Sequence, residues 1–343
     1  MRKLFFVPLF LSLATAAQAQ HNSYGITDSV KTYLDKSLDV FQTYALHRAE
    51  VDWPRLRETA YAKAAGATTY EALTPLYPFL FEQVQDHHGW YSFRGKKYGW
   101  SKPTPPYANA AVLDELKKKP GVRVRILNKN VGYLLIPGNS DFGMSNVTAN
   151  AQAIRDSICR VQQGRRLKGW IVDLRLNDGG NMYPMLAGLG SLLGDGLLGG
   201  FVEPRGESSG QWIIRKGDMY VDTNRVTRVL DRCPSPKKNV PVAVLLSGRT
   251  ASAGEVVAIS FAGRPNARSF GEPSAGYTTA NDGHKLPGGA GLTLAGTYEV
   301  DRNSRAYIDK VLPDVEIIGG DNFTTFADDQ KIRAALRWLK KAR

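Results

Sequence analysis

The sequence predicts an α/β protein with a small all-helical unit ahead of the mixed core. Two patterns carry that reading. From Val122 to Leu339, short β-branched apolar runs alternate with stretches of helical spacing. Before them, residues 26–85 show helical spacing throughout and no strand-like run. With 43% hydrophobic and 22% charged residues, the chain has the apolar content for a normal core, which argues against disorder as its default state.

The elements follow in order. Arg2 and Lys3 precede an apolar run from Leu4 to Ala14, and Ala17-Gln18-Ala19 offers a small-x-small cleavage pattern. Residues 1–19 therefore read as a signal peptide, with Gln20 opening the mature chain. The apolar run is too short for a membrane anchor. Val30, Leu34, Leu38, Phe41 and Ala45 mark a helix over 26–47. Asp52-Trp53-Pro54 caps a second helix reaching Ala65, and a third runs over 70–85. The helical subdomain, 20–100, contains Asp86-His87-His88-Gly89. A proline-rich connector, Lys102 to Pro106, opens the core domain, 101–343.

In that core, 122–127, 131–136, 170–174, 240–246 and 292–300 read as strands, and 212–221 as a strand or hairpin. Ser145 is the expected cap of a helix reaching Gln163. Further helices are expected over 182–193, 252–262 and 326–339. No internal repeat is visible.

Charge and cysteine usage narrow the function classes. The net charge of +13 is scattered, and Lys117-Lys118-Lys119 and Lys340-Lys341 sit at helix ends, where cations suit the dipole. No nucleic-acid motif accompanies them. No later segment is apolar enough to cross a membrane, so a periplasmic or secreted location is expected. Cys159 and Cys233 could pair in an oxidising compartment, although spacing alone leaves this open, and they make no zinc site. Neither a metal nor a cofactor is expected.

Two segments carry chemistry. An apolar strand runs through Gly248-Arg-Thr to Ser252 and then into a helix. A serine there has its hydroxyl at a helix N-terminus, where unpaired amides can stabilise an oxyanion. It is equally a favoured N-cap. Asp173-Leu-Arg-Leu-Asn-Asp-Gly-Gly180 follows a buried strand, and its paired glycines let the backbone approach a ligand. Asp173 and Arg175 are also a natural structural pair. A serine nucleophile needs a base, and the chain has five histidines. His21 lies at the mature terminus, His47 on a helix and His284 in a Gly-rich loop. His87 and His88 remain as loop candidates.

These segments resemble the tail-specific protease and tricorn-core family of serine peptidases. The resemblance rests on Asp173 to Gly180, on Thr250-Ala-Ser-Ala-Gly-Glu255 and on Gly271-Glu-Pro-Ser-Ala-Gly-Tyr-Thr-Thr-Ala-Asn281. Val131 to Ile136 looks like the family's first core strand, and Val311-Leu-Pro-Asp314 like its closing motif. The resemblance spans roughly 50–320 and implies a crotonase-like β/α core with Ser252 as nucleophile. Where one branch of the family carries its catalytic lysine, this chain has Tyr277. The tricorn-like branch instead takes a histidine from an Asp-x-His-Ser/Thr pattern, which makes His88 the implied base and puts His87 in a helper's place. Gly89 departs from that pattern. The supporting acid implied is Asp309, with Glu255 as alternative. The implied oxyanion hole is Gly179 or Gly180 with Ala253.

The stretch between His88 and Val122 is too short for the PDZ domain of many relatives. Short peptides or unfolded chains are therefore the expected substrates. The oligomeric state is open. A silent binding protein for apolar ligands on the same fold, or an esterase using Ser252, are the rival readings.

Overall fold

The computed structural model describes residues 24–101, 109–230 and 239–342. The signal segment 1–19, the connector Lys102 to Pro106 and Cys233 lie outside these residues, while Cys159 is disulfide-bonded.

The helices are α1 Asp28–Tyr44, α2 Trp53–Lys63, α3 Leu76–Gln83, α4 Ala110–Lys117, α5 Met144–Gln162, α6 Met182–Gly188, α7 Gly190–Leu193, α8 Ala253–Phe261 and α9 Gln330–Lys341. The strands begin with β1 Trp90–Phe93, β2 Lys96–Tyr98, β3 Arg123–Leu127, β4 Val131–Leu135, β5 Gly169–Asp173, β6 Gly196–Val202, β7 Ser208–Arg215 and β8 Asp218–Val221. They continue with β9 Asn224–Thr227, β10 Val242–Leu246, β11 Ala267–Gly271, β12 Thr279–Lys285, β13 Gly291–Asp301, β14 Ala306–Tyr307 and β15 Val315–Glu316. The α/β class read from the sequence holds. None of the helices among the described residues is long and apolar enough to cross a membrane.

One sheet runs β15-β11-β10-β5-β4-β3, parallel except for the β3–β4 pair. Its central strands are buried on both faces, which explains their continuous apolar runs. Alternation divides them between two cores. Trp170, Val172, Val242 and Val244 pack with α5, α6 and α8, while Tyr133, Ile171, Ala243 and Leu245 pack with α9. The second sheet, β2-β1-β13-β6-β7-β8-β9, also pairs β13 with β12 and β14. A third core joins Leu34, Leu38, Tyr77 and Phe81 of the N-terminal helices to Tyr91 of β1 and Leu292 and Leu294 of β13.

Local chemistry adjusts several expectations. Asp52 caps α2 as expected, its carboxylate accepting from the Arg55 amide. The helix expected over 70–85 breaks at Thr74-Pro75 into a short 3-10 turn and α3, because proline cannot donate into the preceding turn. Gly143, and not Ser145, occupies the cap position of α5.

Candidate active site

β10 delivers the chain through residues 247–251 to Ser252, which caps α8 with φ 51° and ψ −118°. That left-handed backbone costs a non-glycine residue about 1–3 kcal/mol and persists only where the surroundings over-determine it. Here they do. Ser247 Oγ donates to the Arg175 carbonyl at 2.7 Å, Thr250 Oγ1 to that of Leu174 at 2.9 Å, and the Ala251 amide to that of Asn177 at 3.0 Å. The loops after β5 and β10 are thus stitched side by side at the carboxyl ends of their strands.

Glu255 completes the turn. Its Oε2 accepts from the Ser252 amide at 2.7 Å and the Tyr277 amide at 2.8 Å. Its Oε1 accepts from the Gly276 amide at 2.9 Å and from Ser274 Oγ. Full burial pushes the carboxyl up to about 7, with the four donors pulling against that rise. Glu255 forms no hydrogen bond to either candidate histidine. It ties the serine turn to the 274–277 loop instead.

The paired glycines take left-handed backbone, with φ 109° at Gly179 and 108° at Gly180. A β-carbon on Gly180 would collide with the Asn139 carbonyl, and one on Gly179 would sit 3.0 Å from Ser252 Cβ. The Gly179 amide is occupied, donating to Asn177 Oδ1 at 3.2 Å. Among the described residues, no acceptor meets the amides of Gly180 and Ala253. Both residues line a cavity of roughly 800 Å³ together with Ser252 and His88.

His88 leaves the helical unit on a turn built by Asp86. One carboxylate oxygen of Asp86 accepts from the His88 and Gly89 amides, and the other from the Ala295 amide of β13. Gly89 is obligatory here, since a β-carbon would fall 2.6 Å from the Phe81 ring and 2.6 Å from the Thr293 carbonyl. This packing is the physical reason no serine or threonine follows His88.

His88 Nδ1 lies 2.8 Å from Thr279 Oγ1, and its ring meets Tyr277 edge-on at 5.1 Å. Burial, then the neighbouring His87, lower its pKa to about 4. The imidazole is therefore neutral at ordinary pH. No hydrogen bond joins it to Ser252, although both face one cavity.

His87 Nε2 donates to the Gly276 carbonyl at 2.8 Å and lines a smaller cavity of roughly 490 Å³. Asp309 is exposed; its carbonyl accepts from Thr278 Oγ1, and its carboxylate bonds to neither histidine. The structure thus brings together Ser252, Ala253, Gly180 and His88, with Gly179 alongside, and leaves His87 and Asp309 outside the cavity. Asp309 was expected behind His88 by way of His87, and the side chain that meets His88 Nδ1 is Thr279. It lies inside the Gly-Tyr-Thr-Thr motif, which was the available signal. Among the described residues, no group of three or more His, Cys, Asp or Glu is placed to hold a metal ion.

A model of the family described as peptidase family S41 matches residues 130–317. The nisin-resistance protein of Lactococcus lactis subsp. lactis is 27% identical over 312 residues, 90% of each chain. Among solved structures, a lipoprotein from Streptococcus agalactiae superposes with a TM-score of 0.68 at 22% identity, covering 91% of this chain and 96% of the other. A photosystem II D1 C-terminal processing protease superposes with a TM-score of 0.55 at 18% identity, covering 88% and 96%.

Proposed function

Because the chain belongs to peptidase family S41, we propose that it cleaves peptide bonds through an acyl-enzyme on Ser252, with His88 as general base. The observation that carries this reading is one cavity holding a strained serine, two unoccupied amides and a neutral imidazole. His88 Nε2 takes the Ser252 proton as Oγ attacks the scissile carbonyl carbon. The Gly180 and Ala253 amides receive the oxyanion. His88 then returns the proton to the leaving amine as the C–N bond breaks. Water, deprotonated by the same imidazole, attacks the ester and frees Ser252. Thr279 orients the ring by accepting from Nδ1–H, which leaves Nε2 free for the serine. His87 and Asp309 act as positioning residues around Gly276. Export through the 1–19 leader belongs to the same reading and suits a disulfide at Cys159.

The test is a panel of short peptides, unfolded proteins and simple esters, with new termini identified by mass spectrometry. The name of the Lactococcus relative makes nisin one substrate to include. Cleaved peptides that fall to a trace with Ser252→Ala are expected. Cleavage at the parent rate in Ser252→Ala, or hydrolysis of esters alone, contradicts the proposal.

Two further outcomes are expected. Gly180→Ala forces a side chain onto the Asn139 carbonyl and displaces one oxyanion donor. Steady-state kinetics should show kcat lower by about 10²–10³ with little change in KM. The His88 ring, followed by NMR, should stay neutral on acidification until about pH 4. A free histidine takes its proton near ~6.5, so the unfolded chain binds that proton first. Stability from His88 is accordingly full above that value and lost as pH falls toward about 4. A midpoint at the free value would show that burial does not govern the ring.

A further inference from the structure

Glu299 is 2% exposed, and its Oε2 is buried without a hydrogen-bond partner. It lies on β13 directly opposite Phe201 of β6 and lines the cavity that holds Ser252. Lys97 and Arg249 line the same cavity, but among the described residues no ion pair joins either to Glu299, and Arg249 Nε is itself buried without a partner. Its charged neighbour is another carboxyl, Glu255, which adds to burial in raising Glu299 well above the carboxylate range. A buried carboxyl without a partner destabilises a fold, and the mechanism above gives this one no task. What it lacks is a polar partner, and the cavity it borders is the one that holds Ser252. Apolar residues line the same cavity, with Phe201 opposite Glu299 and Val256 and Met182 elsewhere on the lining.

We propose that Glu299 closes a subsite for a basic substrate side chain, lysine or arginine, within the catalytic cavity. The aliphatic stem lies along Phe201 and Val256, and the charged head displaces the carboxyl's proton to solvent and meets the carboxylate in a charge-assisted hydrogen bond. The inference rests on the peptidase reading for its substrate but not for its test.

The test uses the chain carrying Ser252→Ala, so that peptides stay intact, and calorimetric titration with end-capped hexapeptides. Each carries one lysine, moved position by position, and is compared with its norleucine counterpart. At one position lysine should bind about tenfold or more tightly than norleucine. Glu299→Gln should erase that difference and leave norleucine affinity unchanged. Glu299→Met, which suits the apolar wall, should reverse the preference. Equal affinities at every position in the Glu299 chain overturn the proposal without any further variant. So does a lysine preference that survives either substitution, which would place the cation elsewhere. Because no hydrolysis is read, a chain that binds lysine peptides through Glu299 but never cleaves them refutes the Ser252 mechanism and keeps the subsite.

Discussion

Ser252→Ala is expected to lower kcat/KM for peptide hydrolysis by about six orders of magnitude, the scale seen when a catalytic serine is removed elsewhere. His88→Ala should cost a comparable factor. The double variant should be scarcely worse than either single one, because nucleophile and base act as a unit. Residual catalysis should remain, since the Gly180 and Ala253 amides survive both changes. The fold should survive as well. Alanine keeps the β-carbon that already stands at φ 51°, and Glu255 still accepts the amide of residue 252. Additive losses in the double variant would show that His88 acts separately from the serine.

The second large effect concerns stability. Arg175 is fully buried in the segment that leads to the Gly179-Gly180 turn. Its guanidinium donates to Asp173 through Nε and Nη2, and to Asp321 and Asp329 through Nη1. It also lies 4.4 Å above the Phe323 ring. Tyr133 adds a hydrogen bond to Asp173, and Lys331 joins Glu272 and Asp321 at the other end of the network. Arg175→Met keeps much of the volume and leaves Asp173 and Asp329 without a cation around an uncharged stem, while Asp321 keeps Lys331. Breaking a buried pair in this way costs about 3–5 kcal/mol, against a total stability of about 5–15 kcal/mol for a typical protein. Urea denaturation should show that loss in the midpoint. Activity should fall with it, because Ser247 and Thr250 anchor the serine turn on the carbonyls of Arg175 and Leu174. A variant as stable as the parent would mean the acids relax without their cation.

How much of this was legible depended on periodicity. Strands β4, β5 and β10 stood out because both faces are covered, so every position is apolar. Ser252 and the Gly-Gly turn were legible as a strand-to-helix pattern, and their ordered company supplied the rest. β12 was hidden because Thr279-Ala-Asn-Asp-Gly-His-Lys285 has the composition of a turn. Only pairing with β13 makes it a strand.

Glu299 was hidden for a sharper reason. Leu292 and Leu294 face inward on β13, which by simple alternation would turn Glu299 outward. A register shift between Ala280 and Asn281 of the partner strand changes the phase, so Thr297, Glu299 and Asp301 are the buried set. The partner of the His88 ring was hidden for a related reason. It is a hydroxyl, Thr279, and hydroxyls carry no charge pattern for a sequence to reveal.

The central claim is that Ser252 is a nucleophile activated by His88. A fluorophosphonate probe followed by peptide mapping tests it most directly. The account predicts a single stoichiometric adduct on Ser252, formed far more slowly in His88→Ala under the same conditions. An adduct on another residue, or equal labelling rates with and without His88, would contradict it.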